Sequence, residues 1–160
     1  MRTEVAKDSY GASVIELARR GAPVRYAGDF LVAVDHDRPT GYYETDRDGL
    51  RWREAAPFNT VQFDVAVADA NDGRFVPGLT VALRAEKNGR TLAAGECLFR
   101  WHPRLHRYAV DLRLLPGRYD VTVHIGTPVF QREDHAAGRR YSDPVVLRFP
   151  NFEVCRIGAV

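Results

Sequence analysis

Leu79-Thr80-Val81-Ala82-Leu83-Arg84-Ala85-Glu86-Lys87-Asn88-Gly89-Arg90-Thr91-Leu92-Ala93-Ala94-Gly95-Glu96-Cys97-Leu98-Phe99-Arg100-Trp101 decides the fold. Leu79, Val81 and Leu83 recur at every second position, and Cys97, Phe99 and Trp101 do so on the return. Asn88-Gly89 between them is the dipeptide that best supplies two positive φ angles in a tight hairpin turn. A period of two belongs to strands with one buried face.

The same period extends outward on both sides. Upstream run Phe30, Val32 and Val34, then Val61, Phe63, Val65 and Val67; downstream come Tyr108, Val110, Leu112 and Leu114 as far as Pro116-Gly117. Tyr119, Val121, Val123 and Ile125 follow, and Val145, Leu147 and Phe149 close the series. Seven or eight short strands with turn signals between them predict an all-β, immunoglobulin-like sandwich, with a small closed barrel as the alternative. Alternation also predicts burial of Phe63, Val65, Val81, Leu83, Phe99, Trp101, Tyr108, Val110, Leu112, Tyr119, Val121 and Val123, because a slip of one residue would expose the whole set.

Only the N-terminus reads differently. Val14, Leu17 and Ala18 suit one short helix, with Arg19 and Arg20 in its last turn, Gly21 as the residue that ends it, and Asp8 or Ser13 as candidate caps. Residues 1–23 are thus a helical segment ahead of a sandwich over 24–160, a single domain. Two segments lack strand periodicity, 36–59 and 126–144. Ordered connections of such length are usually functional, so these loops are the first places to look for a site.

Composition narrows the function classes. With 23 basic against 21 acidic residues and a net charge of +2, neither nucleic acid nor an anionic membrane is expected as a partner. Met1 to Asp8 holds no apolar h-region, and no apolar run reaches the ~18 residues of a membrane span, so a cytoplasmic protein is expected. Of its two cysteines, Cys97 falls on the core face and reads as a buried free thiol; a Cys97–Cys155 disulfide would suit an exported protein.

No phosphate loop, nucleophile elbow, zinc-protease helix or Cys-x-x-Cys pair occurs. The five histidines (His36, His102, His106, His124, His135) are too scattered for a ligand set by spacing alone. More informative is one face of the 96–113 hairpin. There Glu96, Arg100 and His102, and across from them Arg107 and Asp111, oppose the core-facing residues. The plain reading is a solvated sheet face with weak cross-strand ion pairs; the functional reading is a binding face.

Asp72-Gly73-Arg74-Phe75-Val76-Pro77-Gly78-Leu79-Thr80-Val81, with Trp101-His102-Pro103, Arg107-Tyr108, Pro116-Gly117-Arg118-Tyr119 and Thr127-Pro128-Val129-Phe130-Gln131-Arg132, resembles the Fe(II)-transport protein family over roughly residues 58–150. That resemblance implies an immunoglobulin-like, periplasmic, usually dimeric protein binding copper or iron beside an iron permease. Histidines and a methionine hold the metal in that family. The matching positions here are Gln62, Arg100, Arg107 and Glu133, and an offset of one or two residues brings in His106 or His135. A guanidinium has no lone pair to give a cation. The resemblance therefore supports the fold and the pocket, and the expectation is no metal and no cofactor.

The leading expectation is a pocket for a small organic molecule, anionic or carbonyl-rich. Gln62, Arg100, Arg107, Tyr108 and His124 would bind it, and Glu133, His102 and His106 would move protons in a metal-independent isomerase, cyclase or dehydratase of a biosynthetic kind. Two alternatives stand beside it. One is an iron- or copper-binding accessory protein with a rearranged set such as His102, His106, His124 and His135; the other is a non-catalytic structural domain. The resemblance also implies a homodimer.

Overall fold

The computed structural model describes residues 12–156. Helix α1 (Ala12–Arg19) precedes ten strands: β1 (Val24–Ala27), β2 (Phe30–Asp37), β3 (Tyr42–Asp46), β4 (Gly49–Arg53), β5 (Val61–Asp69), β6 (Val81–Lys87), β7 (Arg90–Trp101), β8 (His106–Leu112), β9 (Gly117–Ile125) and β10 (Val145–Val154). The fold is all-β, as the alternation predicts. Eight strands form one antiparallel sheet in the order β1-β2-β5-β8-β7-β6-β9-β10, and β3-β4 is a separate hairpin.

Strand β7 makes one sheet into two layers. Its Arg90–Cys97 half pairs with β6, and its Leu98–Trp101 half pairs with β8. The sheet folds around this shared strand, and its outer edges approach without joining. The Arg25 guanidinium of β1 lies 5.6 Å from the Phe149 ring of β10. Sandwich and barrel, the two sequence expectations, converge in this nearly closed form. Asn88 and Gly89 have φ of 52° and 74°, the two positive angles that a two-residue turn between right-twisted strands needs.

Inward-facing Phe63, Val65, Val81, Leu83, Val121 and Val123 are essentially inaccessible, and Tyr108 and Tyr119 join them. Two residues expected in the core are not there: Phe99 is 49% and Trp101 70% exposed. Both keep the inward parity of Cys97, but past Cys97 the strand has left β6 and runs along β8 at the margin of the core. Phe99 finds only partial cover, from Phe75 and His106. Cys97 and Cys155 are both free, Cys97 buried and Cys155 exposed. Burial pushes the Cys97 thiol up to about 12.

Helix α1 lies on the outer face of the β2-β5 layer, where Val14 and Leu17 pack on Ala33, Ala66, Ala68 and Leu105. Small side chains on the sheet let the helix approach closely. It ends as the sequence predicts: Gly21 has φ of 90°, Ala22 N–H donates to Leu17 O at 3.0 Å and Gly21 N–H to Ala18 O at 3.0 Å, the paired bonds of a glycine-terminated helix. Asp8 lies outside the described residues. Ser13 is not a cap; it sits inside the helix, and its hydroxyl accepts the His106 N–H at 2.8 Å.

Within residues 36–59, expected to lack strands, lies the β3-β4 hairpin, closed by Arg47-Asp48 between Asp46 and Gly49. Gly49 has φ of 110°, a conformation costly for any residue with a Cβ. The hairpin stands over the outer face of the main sheet beside β7, which positions the site.

Candidate functional site

Five charged or amide side chains share the outer face of β5, β8 and β7. Register fixes this: Gln62 lies opposite Asp111, Asp64 opposite Ala109, and Arg100 opposite Arg107. Gln62, Asp64 and Arg107 are buried, unusual for groups that pay a large desolvation cost unless paired. They are paired. Arg100 Nη1 donates to Gln62 Oε1 at 2.8 Å, and its two terminal nitrogens reach both Asp111 oxygens at 3.2 and 3.1 Å. Gln62 Nε2 donates to Asp64 Oδ1 at 2.8 Å, and Arg107 Nε lies 2.8 Å from the same oxygen. The neighbouring Asp35 carboxyl, next to Asp64 in register, is held above the ordinary carboxylate range, mainly by burial.

The pairing is incomplete at Arg107, whose Nε meets Asp64 Oδ1 at ion-pair distance without an aligned hydrogen bond. Arg107 Nη1 is buried with no hydrogen-bond partner. Arg107 and Arg100 line a cleft of about 670 Å³ between β7 and the β3-β4 hairpin. Its hairpin wall is aromatic, with Tyr42, Tyr43 and Trp52, and β7 brings Leu98 and, at the end of the strand, Trp101. The Arg100 guanidinium sits 4.6 Å from the Tyr42 ring centroid, and Tyr43 and Trp52 meet edge to face at 5.0 Å. His102 stands at the rim, its Nδ1 accepting the Arg104 N–H at 3.1 Å. Desolvation and the Arg107 and Arg104 charges hold its pKa below the usual imidazole value.

The structure thus brings together Gln62, Arg100, Arg107 and His102. It does not bring the other expected residues with them. Tyr108 points into the core from the opposite face, its hydroxyl donating to Val76 O at 2.9 Å and accepting the Leu79 N–H at 3.2 Å. His106 shares that inner parity, with its ring against Phe75 and Phe99. His124 is exposed on β9, opposite Ala82 and Val146 in the other layer. Glu133 is exposed in the 126–144 loop, in a separate cavity with Phe130, Arg140 and Tyr141. The reason is the anchoring of that loop. The buried Asp69 carboxylate accepts from the Tyr141 hydroxyl and from Arg140 Nη2 at 2.6 Å, and Asp29 accepts the Tyr141 N–H at 2.9 Å. Burial alone would raise the Asp69 pKa, but the Tyr141, Asn71 and Arg140 donors outweigh it and hold it low. Asp64 and the hairpin aromatics are the site residues that sequence reasoning missed.

The positions matching the resemblance's metal ligands do not fit a cation. Both ends of the Gln62 amide are engaged, Arg100 and Arg107 bring positive charge, and Glu133 is elsewhere. Among the described residues no group of three or more His, Cys, Asp and Glu side chains could hold a metal ion, so the alternative set of His102, His106, His124 and His135 is not assembled either.

No family model matches the chain, and no curated protein matches it. Among solved structures it is similar to FetP from uropathogenic Escherichia coli, recombinantly expressed in the periplasm, at 18% identity over 86% of this chain and 95% of that one, with TM-score 0.68. It is also similar to a copper-bound variant of Campylobacter jejuni P19 (16% identity, 86% and 97% covered, TM-score 0.68) and to copper-reconstituted P19 (15%, 82% and 94%, TM-score 0.66). The chain has the fold of these proteins, and the resemblance read from its motifs holds at that level. The cytoplasmic expectation is corrected by the same finding, since FetP was produced in the periplasm; the absent h-region was no ground for a compartment.

Proposed function

We propose that the chain is a non-catalytic binding protein whose cleft holds a small organic anion. The observation that carries this reading is Arg107: a buried guanidinium on the cleft floor with Nη1 lacking any partner. An orphaned buried donor costs about 1–3 kcal/mol, and a carboxylate oxygen reaching it would recover that cost with a charge-assisted bond. Arg100, stacked on Tyr42 and forked on Asp111, adds a second positive centre. Acid–base catalysis loses two of its three expected groups, because Glu133 and His106 stand away from the cleft and only His102 remains at its rim. A periplasmic setting accords with this reading, given the neighbour produced there.

The test is calorimetric titration of oxalate, citrate and benzoate, with Arg107→Met as the comparison. Micromolar to millimolar binding of at least one, abolished in the variant, is expected; no binding of any of the three overturns the reading. The second reading, a metal-binding accessory protein, is favoured by the copper-bound neighbours. Stoichiometric copper or iron in protein purified without a histidine tag would establish it.

A further inference from the structure

The walls of the cleft say more about the ligand than its floor does. Trp101 is 70%, Tyr43 64% and Trp52 49% exposed. Large rings normally retreat from water, and a cluster of them exposed around a concave surface marks a place where something else covers them. They come from two elements, so a ligand entering between β7 and the hairpin meets aromatic surface on both sides. The hairpin itself is loosely tied. Its ion pairs are internal, Arg53 with Glu44 at 2.9 Å and Arg51 with Asp46 and Asp48 at 3.2 and 2.6 Å, and Trp52 Nε1 donates to Glu54. Among the described residues no hydrogen bond or ion pair joins residues 42–53 to the main sheet; the Tyr42–Arg100 stack is the polar contact that holds it there.

From this arrangement we infer that the ligand is a planar aromatic carboxylate, its ring stacked between the hairpin and Trp101 and its carboxylate on Arg107. This rests on the organic-anion reading of the same cleft and specifies its class. Three features agree. The cleft, at about 670 Å³, has room for a ring with substituents, given that a cavity of about 150 Å³ takes a benzene. Offset or edge-on ring contacts add to plain apolar burial, which an aliphatic acid of equal charge cannot match. Glu44, the carboxylate in the cleft wall, is already neutralised by Arg53, so it does not repel an anion.

The sequence supplies its own reporter. Trp52 and Trp101 are the chain's two tryptophans, and both line the cleft, so tryptophan emission reads this site alone. Benzoate, cyclohexanecarboxylate and benzamide are titrated in parallel, by tryptophan emission and by calorimetry. Benzoate is expected to change the emission and to bind at least tenfold more tightly than either of the others. Trp101→Leu, at an exposed position that does not threaten folding, is expected to weaken benzoate severalfold and cyclohexanecarboxylate distinctly less. Equal affinity for benzoate and cyclohexanecarboxylate overturns the aromatic class while the anion reading stands. Undiminished benzoate binding in Trp101→Leu overturns the stacking geometry. Failure of all carboxylates to bind overturns both readings together.

Discussion

Arg107→Met tests whether the guanidinium on the cleft floor is a buried member of the sheet's ion-pair network. Arg107 and Asp64 are 10% and 8% exposed at their side chains and 2.8 Å apart. Removing one member of a buried pair leaves the other charge uncompensated and costs about 3–5 kcal/mol. Two features of the site modify that range. Asp64 keeps one donor, Gln62 Nε2, and the variant no longer buries the orphaned Nη1, which returns about 1 kcal/mol. The expected loss is therefore about 3 kcal/mol, which for a domain of this size lowers the melting temperature by roughly 10 °C. Urea unfolding at pH 7, followed by circular dichroism, measures it. Arg107→Met with Asp64→Asn together should be less damaging than the sum of the two alone, because each single change strands a charge that the double change does not. A loss below about 1 kcal/mol, the range of ordinary surface substitutions, would refute the claim that this pair is buried and load-sharing.

Two further outcomes test the surroundings of the site. In the native protein a thiol reagent should modify Cys155 and leave Cys97 untouched until unfolding, since burial pushes the Cys97 thiol up to about 12; rapid labelling of both thiols would contradict the core position of Cys97. Asp35→Asn should raise the melting temperature at pH 7. Burial lifts the Asp35 pKa above its usual 3.8, so the folded state favours the protonated form, and that stabilising preference is fully present below the unfolded pKa and lost as pH rises through the folded one. The gain from the substitution should vanish by about pH 3, where the wild-type carboxyl is protonated in both states; a gain that persists there would mean another cause.

The fold was largely legible because one physical rule dominates it. Period-two alternation, Asn88-Gly89 and Gly21 each report a local requirement that the structure meets at the same residues. The rule failed where burial did not follow parity. Phe99 and Trp101 alternate correctly, but the facing layer ends before they do, and nothing local announces where a layer ends. The β3-β4 hairpin was missed for a related reason. Its strands are mostly exposed on both faces, so no apolar alternation exists to be read, and only Asp48-Gly49 beside Tyr42-Tyr43 and Trp52 hinted at it.

The site was legible to the extent that register could be. Once β7 and β8 pair around residues 102–105, Arg100 must face Arg107, and parity puts Gln62 and Asp111 on the same side. Asp64 followed from the same parity, two residues on from Gln62, but a single Asp within Val61-Gln62-Phe63-Asp64-Val65 looked like the solvated face of a strand. What turned that face into a buried network was cover: α1 over one end and the hairpin beside the other. Charge on a strand's polar face is inexpensive in water and costly under a lid. The mutual satisfaction of Gln62, Asp64, Arg100 and Asp111 is therefore the condition for covering this face at all. Arg107 Nη1 is the atom that this accounting leaves over, and that is why the anion is placed there rather than at the better-paired Arg100.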